Sequence, residues 1–146
     1  MRIGFGSDPN AAGLKAILID YATDLGHEVV DYGSDDPLYA HTAVDVAERV
    51  VAGDVERGVV LCGTGIGVSI SANKVRGAYC ALVTDAYQAE RAQLSNDANM
   101  IAMGAQVTGP ETAKRLLRDY LNVRFDDASR SAPKVAAIHE YEDRTT

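Results

Sequence analysis

Cysteine is scarce in this chain, whose 146 residues include only Cys62 and Cys80. Two cysteines cannot build the disulfide framework on which small secreted domains depend. Long apolar runs are also absent, since none approaches the roughly 20 residues that a membrane-spanning helix needs. The opening residues do not combine a basic segment with an apolar one, as a secretory signal would. We therefore expect a cytoplasmic protein that makes no membrane contact.

Positive charge is scarce as well. The chain has 14 lysines and arginines against 21 aspartates and glutamates, which gives a net charge of −7. A nucleic-acid backbone repels such a chain unless its basic residues cluster, and along the sequence they do not. Nucleic acid is therefore excluded as the expected partner. A small anionic substrate is still compatible with the composition, because backbone N–H groups and a few cations can hold one phosphate.

Short apolar segments alternate with segments of helical periodicity along the whole chain. The predicted strands are 2–7, 27–33, 58–62, 78–83 and 100–104. The predicted helices are 11–25, 41–52, 65–74, 85–95, 110–122 and 131–143. Strands separated by helices of this length are typical of right-handed crossovers and a parallel sheet. We expect one three-layer, doubly wound α/β domain over residues 1–146, with five parallel strands.

The last predicted helix has no strand after it. Its apolar residues Val135, Ile138 and Tyr141 share one face and need a surface to pack against. Ser131 stands at the position of an N-cap, with Pro133 in the first turn. We expect this C-terminal helix to dock on a partner subunit.

Ligands of doubly wound sheets bind beyond the carboxyl ends of the strands, and a glycine-rich segment stands at one of these ends. It reads Cys-Gly-Thr-Gly-Ile-Gly over residues 62–67. A P-loop would need a lysine after its last glycine, and a dinucleotide fingerprint would follow the first strand with a different spacing. Two interpretations stay open: a cradle of backbone N–H groups for an anion, or a tight turn that only packs against the sheet.

Cys62 lies at the edge of this cradle, where backbone dipoles favour a thiolate. A thiolate beside an anion cradle can serve as a nucleophile or as a base. Nucleophilic hydrolysis would want a histidine partner, and none of His27, His41 and His139 stands in a strand-end motif. Proton abstraction beside a carbonyl needs one base, an oxyanion cradle and a hydroxyl, and Thr64 supplies the hydroxyl.

The same residues resemble a known family, that of ribose-5-phosphate isomerase B and galactose-6-phosphate isomerase. The similarity is strongest in CGTGIGVSISANK from Cys62, and extends through RIGFGSD, SNDANMIAMGAQV and RFDDASRSAPKVAAI. It covers essentially the whole sequence. The resemblance implies a Rossmann-like sheet, a homodimer or a dimer of dimers with sites shared between subunits, and no metal or nucleotide cofactor.

The resemblance also implies roles for individual residues. Cys62 would be the base that moves a proton between C1 and C2 of a sugar phosphate through a cis-enediolate, with Thr64 assisting at the sugar oxygens. Asn96 would reach in from the partner subunit. The residues expected to contact the substrate are Asp8, Tyr39, Gly63, Gly65, Ile66, Gly67, Ser95, Asn96, Arg130 and Lys134.

The sequence differs from the family pattern at positions that concern the sugar. Pro9 and Ser95 stand where the ribose phosphate enzymes have histidines, the second of which opens the furanose ring, and Gln106 replaces an arginine. In the phosphate motif, Arg130 is retained while Lys134 replaces an arginine. Two positive charges are therefore kept, but lysine cannot form the bidentate hydrogen bonds that a second arginine would make. A cyclic sugar needs a ring-opening acid or base and an acyclic sugar does not.

Three functions follow from this pattern. The first is an aldose–ketose isomerase acting on a small sugar phosphate of the ribose 5-phosphate type. The second is the same reaction on D-erythrulose 4-phosphate, which is acyclic. The third, of another class, is a non-catalytic sugar-phosphate-binding subunit, because the histidines of the family pattern and the arginine at position 106 are missing.

Overall fold

The computed structural model describes residues 1–145 and confirms a five-stranded, fully parallel sheet. The strands are β1 (Arg2–Ser7), β2 (Glu28–Asp31), β3 (Arg57–Cys62), β4 (Cys80–Leu82) and β5 (Met100–Gly104). Their order across the sheet is β2-β1-β3-β5-β4, and every neighbouring pair is parallel. After β3 the chain therefore forms the edge strand β4 first, and β5 then inserts between β3 and β4.

Six α-helices and one short 3-10 helix surround the sheet. The α-helices are α1 (Ala12–Asp24), α2 (Tyr39–Ala52), α3 (Ile66–Ala72), α4 (Ala86–Asn96), α5 (Pro110–Leu121) and α6 (Ala132–Arg144). The 3-10 helix spans Pro9–Ala11. Each predicted strand and helix is present. The predicted ranges of the edge strands β2 and β4 and of helix α3 were too long at both ends.

The helices form two layers because the central strands are buried on both faces, as continuous apolar strands of a parallel sheet should be. Val59 and Leu61 pack with α1, α4 and α5 in one core. Val60 and Cys62 point to the other face, where they pack with α2 and α3. This alternation along β3 places the Cys62 side chain under the start of α2 and α3.

Two helix starts differ from the prediction for local reasons. The Asp8 carboxylate accepts a hydrogen bond from the Ala11 N–H at 3.1 Å, which forms the unpredicted 3-10 turn with Pro9 in its first position. Helix α2 begins at Tyr39, two residues earlier than predicted. The Asp36 carboxylate accepts from the Leu38 N–H at 2.8 Å and holds the backbone just before this start. Tyr39 therefore belongs to the first turn of a helix.

Helix α6 is attached to its own subunit at both ends. Val135 is buried against the rest of the fold, and near the other end the Glu142 carboxylate accepts from the Tyr79 hydroxyl and from the Gly77 N–H at 3.0 Å. Ser131 occupies the predicted N-cap position, although its side chain makes no capping hydrogen bond. Docking of α6 on a partner subunit stays a prediction.

The edge strand β4 is joined to α3 mainly by the side chain of Asn73, and the Ser69 hydroxyl also donates to the Cys80 carbonyl at 3.3 Å. The Asn73 amide donates to the Cys80 carbonyl at 2.8 Å and accepts from the Cys80 N–H at 2.8 Å, as a neighbouring strand would. It also donates to the Ser69 carbonyl.

None of the helices within residues 1–145 is long and apolar enough to cross a membrane.

Replacing Asn73 with alanine should lower the free energy of unfolding by about 1–3 kcal/mol, because the buried Cys80 amide loses its hydrogen-bond partner. Chemical denaturation followed by circular dichroism measures the change. Asn122→Ala is the matched control, since Asn122 is exposed and its side chain makes no hydrogen bond to the described residues. Equal stability of Asn73→Ala and the control would contradict a structural role for this amide.

Candidate active site

Cys62, the last residue of β3, lies in a cavity of about 550 Å³ at the carboxyl edge of the sheet. The cavity is lined by Asp8, Asn10, Pro37, Tyr39, Cys62, Gly63, Thr64, Ile66, Gly67 and Ile70. Three segments that are distant in sequence meet here: the end of β1, the start of α2 and the turn from β3 into α3. The tertiary structure thus joins seven of the predicted site residues, and Gly65 lies within the same turn.

The turn from β3 into α3 is held by its own side chains. The Gly65 N–H donates to Cys62 Sγ at 3.2 Å, and the Ile66 N–H donates to Thr64 Oγ1 at 3.2 Å. Gly65 has a left-handed φ of +78°, and a Cβ there would lie 2.8 Å from the carbonyl carbon of Met103. Only glycine fits this position. The amides of Gly65 and Ile66, two residues expected to contact the substrate, thus donate to the sulfur and to the hydroxyl of their own turn.

Tyr39 forms one wall of the cavity. Its ring lies so close to Gly67 that a Cβ at Gly67 would collide with it. The Tyr39 hydroxyl makes no hydrogen bond to any residue in the described range 1–145, and the residue is 43% exposed. This hydroxyl is therefore free to bind a ligand in the cavity.

Asp8 stands beside Cys62 because strand register pairs Ser7 with Leu61. The Asp8 N–H donates to the Leu61 carbonyl at 3.2 Å, and its side chain is buried. Asn10, which the sequence analysis did not single out, lines the same cavity with its amide 3.5 Å from Asp8 Oδ2. In the sequence, Asp8 followed by Pro9 is typical of a helix N-cap and a first helical position. This pattern would have predicted a turn after β1 that places Asn10 at the cavity.

The other predicted residues lie outside this cavity within one subunit. The Ser95 hydroxyl accepts a hydrogen bond from Arg91 Nε at 2.6 Å. Asn96 lines a separate depression with Cys80 and Ala98, at the amino ends of β4 and β5. A strand of five residues is roughly 16 Å long, so Asn96 cannot reach Cys62 of its own subunit.

Arg130 and Lys134 lie at the start of α6, also away from the cavity. Neither cation is engaged in an ion pair or a side-chain hydrogen bond with another residue of the range 1–145. Most of the other basic side chains are paired with carboxylates at surface positions. These two cations are therefore available to an anionic ligand.

Two further residues bear on the chemistry of the site. The Gln106 side chain packs against Gly63, with its Oε1 3.2 Å from the place where a Cβ of Gly63 would stand. Burial raises the pKa of the Cys80 thiol to about 12, so Cys80 stays protonated and inert near neutral pH. Within residues 1–145, no group of three or more histidines, cysteines and acidic residues is placed to hold a metal ion.

A family model described as Ribose/Galactose Isomerase matches residues 3–138. The chain belongs to this family. It is 42% identical over 146 residues to D-erythrulose-4-phosphate isomerase of Pectobacterium atrosepticum, covering 97% of this chain and 95% of the relative. It is 40% identical over 147 residues to ribose-5-P isomerase B of Listeria innocua, covering 99% of each.

A solved structure agrees with this assignment. Ribose-5-phosphate isomerase B of Clostridium thermocellum has 38% sequence identity and a TM-score of 0.94, and the match covers 100% of both chains. Family membership at this identity identifies the protein as a sugar-phosphate isomerase that interconverts aldoses and ketoses. The Rossmann-like sheet that the resemblance implied is confirmed.

Both thiols are buried, but iodoacetate should modify one thiol of the native protein and two after unfolding, because Cys62 lines the cavity at the carboxyl edge while the raised pKa of Cys80 keeps that thiol protonated. Mass spectrometry at mildly alkaline pH measures the incorporation. Cys62→Ala should abolish labelling of the native protein, and Cys80→Ala should leave one label. Rapid labelling of Cys80 in the folded state would contradict this assignment.

Proposed function

We propose that the protein isomerises a four-carbon sugar phosphate, interconverting D-erythrulose 4-phosphate and its aldose, with Cys62 as the base. The observation that carries the proposal is the position of Cys62 Sγ in a cavity, beside Thr64 and the amides of the glycine turn. The relative named D-erythrulose-4-phosphate isomerase supports the choice of sugar.

The reaction requires one proton to move between two carbons. The Cys62 thiolate takes the proton from C2 of the aldose, and the C1 carbonyl oxygen gains the electrons, which gives a cis-enediolate. The thiol then returns the proton to C1, and a proton moves from the C2 oxygen to the C1 oxygen through the Thr64 hydroxyl. Backbone N–H groups of residues 63–67 stabilise the negative charge on the intermediate.

In this proposal, a second subunit supplies Asn96 and the cations that bind the phosphate of the substrate. Asn96 lies about a strand length from Cys62, and Arg130 and Lys134 are unpaired cations outside the cavity. The cavity is rimmed by exposed apolar side chains, with Ile66 at 52% and Ile70 at 58% exposed. Covering this rim with a second copy of the protein would bury apolar surface and exclude water from the enediolate. We infer a homodimer whose two sites each combine residues of both subunits.

The residues that replace histidines support an acyclic substrate. Pro9 has no side-chain proton to transfer, and Ser95 is a weak acid whose oxygen is already bound by Arg91. A tetrose with a phosphate on C4 cannot close a furanose ring through that oxygen, so it needs no ring-opening group. Ribose 5-phosphate is the second candidate, favoured by the relative named ribose-5-P isomerase B.

A panel of four- to six-carbon sugar phosphates tests the substrate. We expect the highest kcat/KM with the tetrose phosphate, and a lower value with ribose 5-phosphate because its ring must open unassisted. Cys62→Ala should lower kcat by about 10²–10⁴-fold, the usual contribution of a general base. Cys80→Ala is the matched control and should retain kcat. Faster turnover of ribose 5-phosphate would overturn the choice of sugar, and full activity of Cys62→Ala would overturn the base.

Mixing two inactive variants tests the shared site. Cys62→Ala and the double variant Arg130→Ala/Lys134→Ala should each lose activity, and dimers re-formed from an equal mixture should recover about a quarter of it. Half of these dimers carry both variants, and each then has one complete site of two. Cys62→Ala mixed with Thr64→Ala should recover none, since both changes affect the same half-site. Lack of recovery in the first mixture would contradict site sharing.

A further inference from the structure

We propose that Asn10 is a specificity-determining residue, which together with Asp8 binds the C3 hydroxyl of the substrate. This inference rests on the proposed function in one respect, namely that the ligand is an acyclic sugar phosphate. Asn10 lines the same cavity as Cys62 and Thr64.

The local structure presents the Asn10 amide to the cavity. Asp8 caps the 3-10 turn through Oδ1, and Pro9 occupies its first position with φ restricted by its ring. The Asn10 side chain is then placed with Nδ2 3.5 Å from the other carboxylate oxygen of Asp8. Asn10 makes no other side-chain hydrogen bond within residues 1–145, so its Oδ1 and one N–H are free for a ligand.

The position of this pair relative to Cys62 identifies the hydroxyl. Asp8 follows Ser7, which pairs with Leu61, so Asp8 lies beside Cys62 at the interstrand spacing of about 4.8 Å. When C1 and C2 lie at Cys62, the next carbon along the sugar is C3. In a tetrose phosphate, C4 bears the phosphate, so the C3 hydroxyl is the one hydroxyl beyond the reacting pair.

The chemistry of the two side chains suits a hydroxyl. A hydroxyl can donate to Asp8 Oδ2 while it accepts from Asn10 Nδ2, so both of its hydrogen-bonding roles are satisfied at once. An amide stays uncharged at every working pH and transfers no proton, so Asn10 orients the sugar without acting on a ring. This pairing favours a substrate that arrives open.

A thermodynamic cycle tests the contact, with one change made in the protein and the other in the ligand, as in a double-mutant cycle. The ligands are D-erythritol 4-phosphate, which cannot isomerise, and the same compound without its C3 hydroxyl. Isothermal titration calorimetry should show that Asn10→Ala binds the parent polyol phosphate about 3- to 10-fold more weakly than the native protein, the value of one hydrogen bond. For the deoxy ligand, Asn10→Ala and the native protein should bind equally.

Asn10→Asp separates this contact from a purely structural role. It keeps the shape of the side chain but adds a negative charge next to Asp8, so anionic ligands should bind more weakly than to Asn10→Ala. The melting temperature and the labelling of Cys62 should stay unchanged in Asn10→Ala, as in the control Asn122→Ala. An equal loss of affinity for both ligands, or no loss for either, would overturn the proposal.

The outcomes also distinguish this proposal from the proposed function. Binding that depends on Asn10 without turnover of any sugar phosphate would leave the contact standing and overturn the isomerisation of a tetrose. Turnover of the tetrose phosphate with no effect of Asn10→Ala would do the reverse. Failure of the native protein to bind the polyol phosphate would overturn the proposed contact, whereas the proposed function is decided by turnover.

Discussion

The hydrogen bond from the Gly65 N–H to Cys62 Sγ is the contact on which the proposed chemistry of the site depends. It exists because β3 ends at Cys62 and the backbone then turns sharply enough to point an amide back at the sulfur. Such a turn requires the left-handed φ of Gly65, and the backbone of β5 lies against the same glycine. An N–H aimed at the sulfur fixes its position beside the cavity, as the proposed base requires.

The parallel sheet supports this contact from two sides. The Ala105 N–H donates to the Cys62 carbonyl and the Gln106 N–H donates to the Gly63 carbonyl, both at 2.9 Å, so the segment beyond β5 holds the turn in place. On the other side, β1 brings Asp8 alongside Cys62. Cys62, the proposed base, is therefore positioned by two neighbouring strands as well as by the contacts within its own turn.

The topology of the sheet explains why Asn96 and Arg130 lie far from Cys62 within one subunit. Helix α4 runs from the carboxyl end of β4 to the amino end of β5, so Asn96 finishes at the opposite edge of the sheet from Cys62. Arg57 at the start of β3 donates to the Val123 carbonyl and holds the segment that leads to Arg130 near that opposite edge. A parallel sheet cannot bring these residues to Cys62 by itself, and the proposed dimer resolves this conflict.

The amino-acid sequence by itself determined the elements and the reactive turn, because both are local. Apolar residues at spacings of two and of three to four define strands and helices, and the string from Cys62 to Gly67 encodes its own turn. Only the tertiary structure decided the strand order, the buried side of Cys62, and the meeting of Asn10 with the cavity. Those features depend on crossovers between distant segments, and Asn10 comes within reach because a capped 3-10 turn follows a strand that pairs with β3.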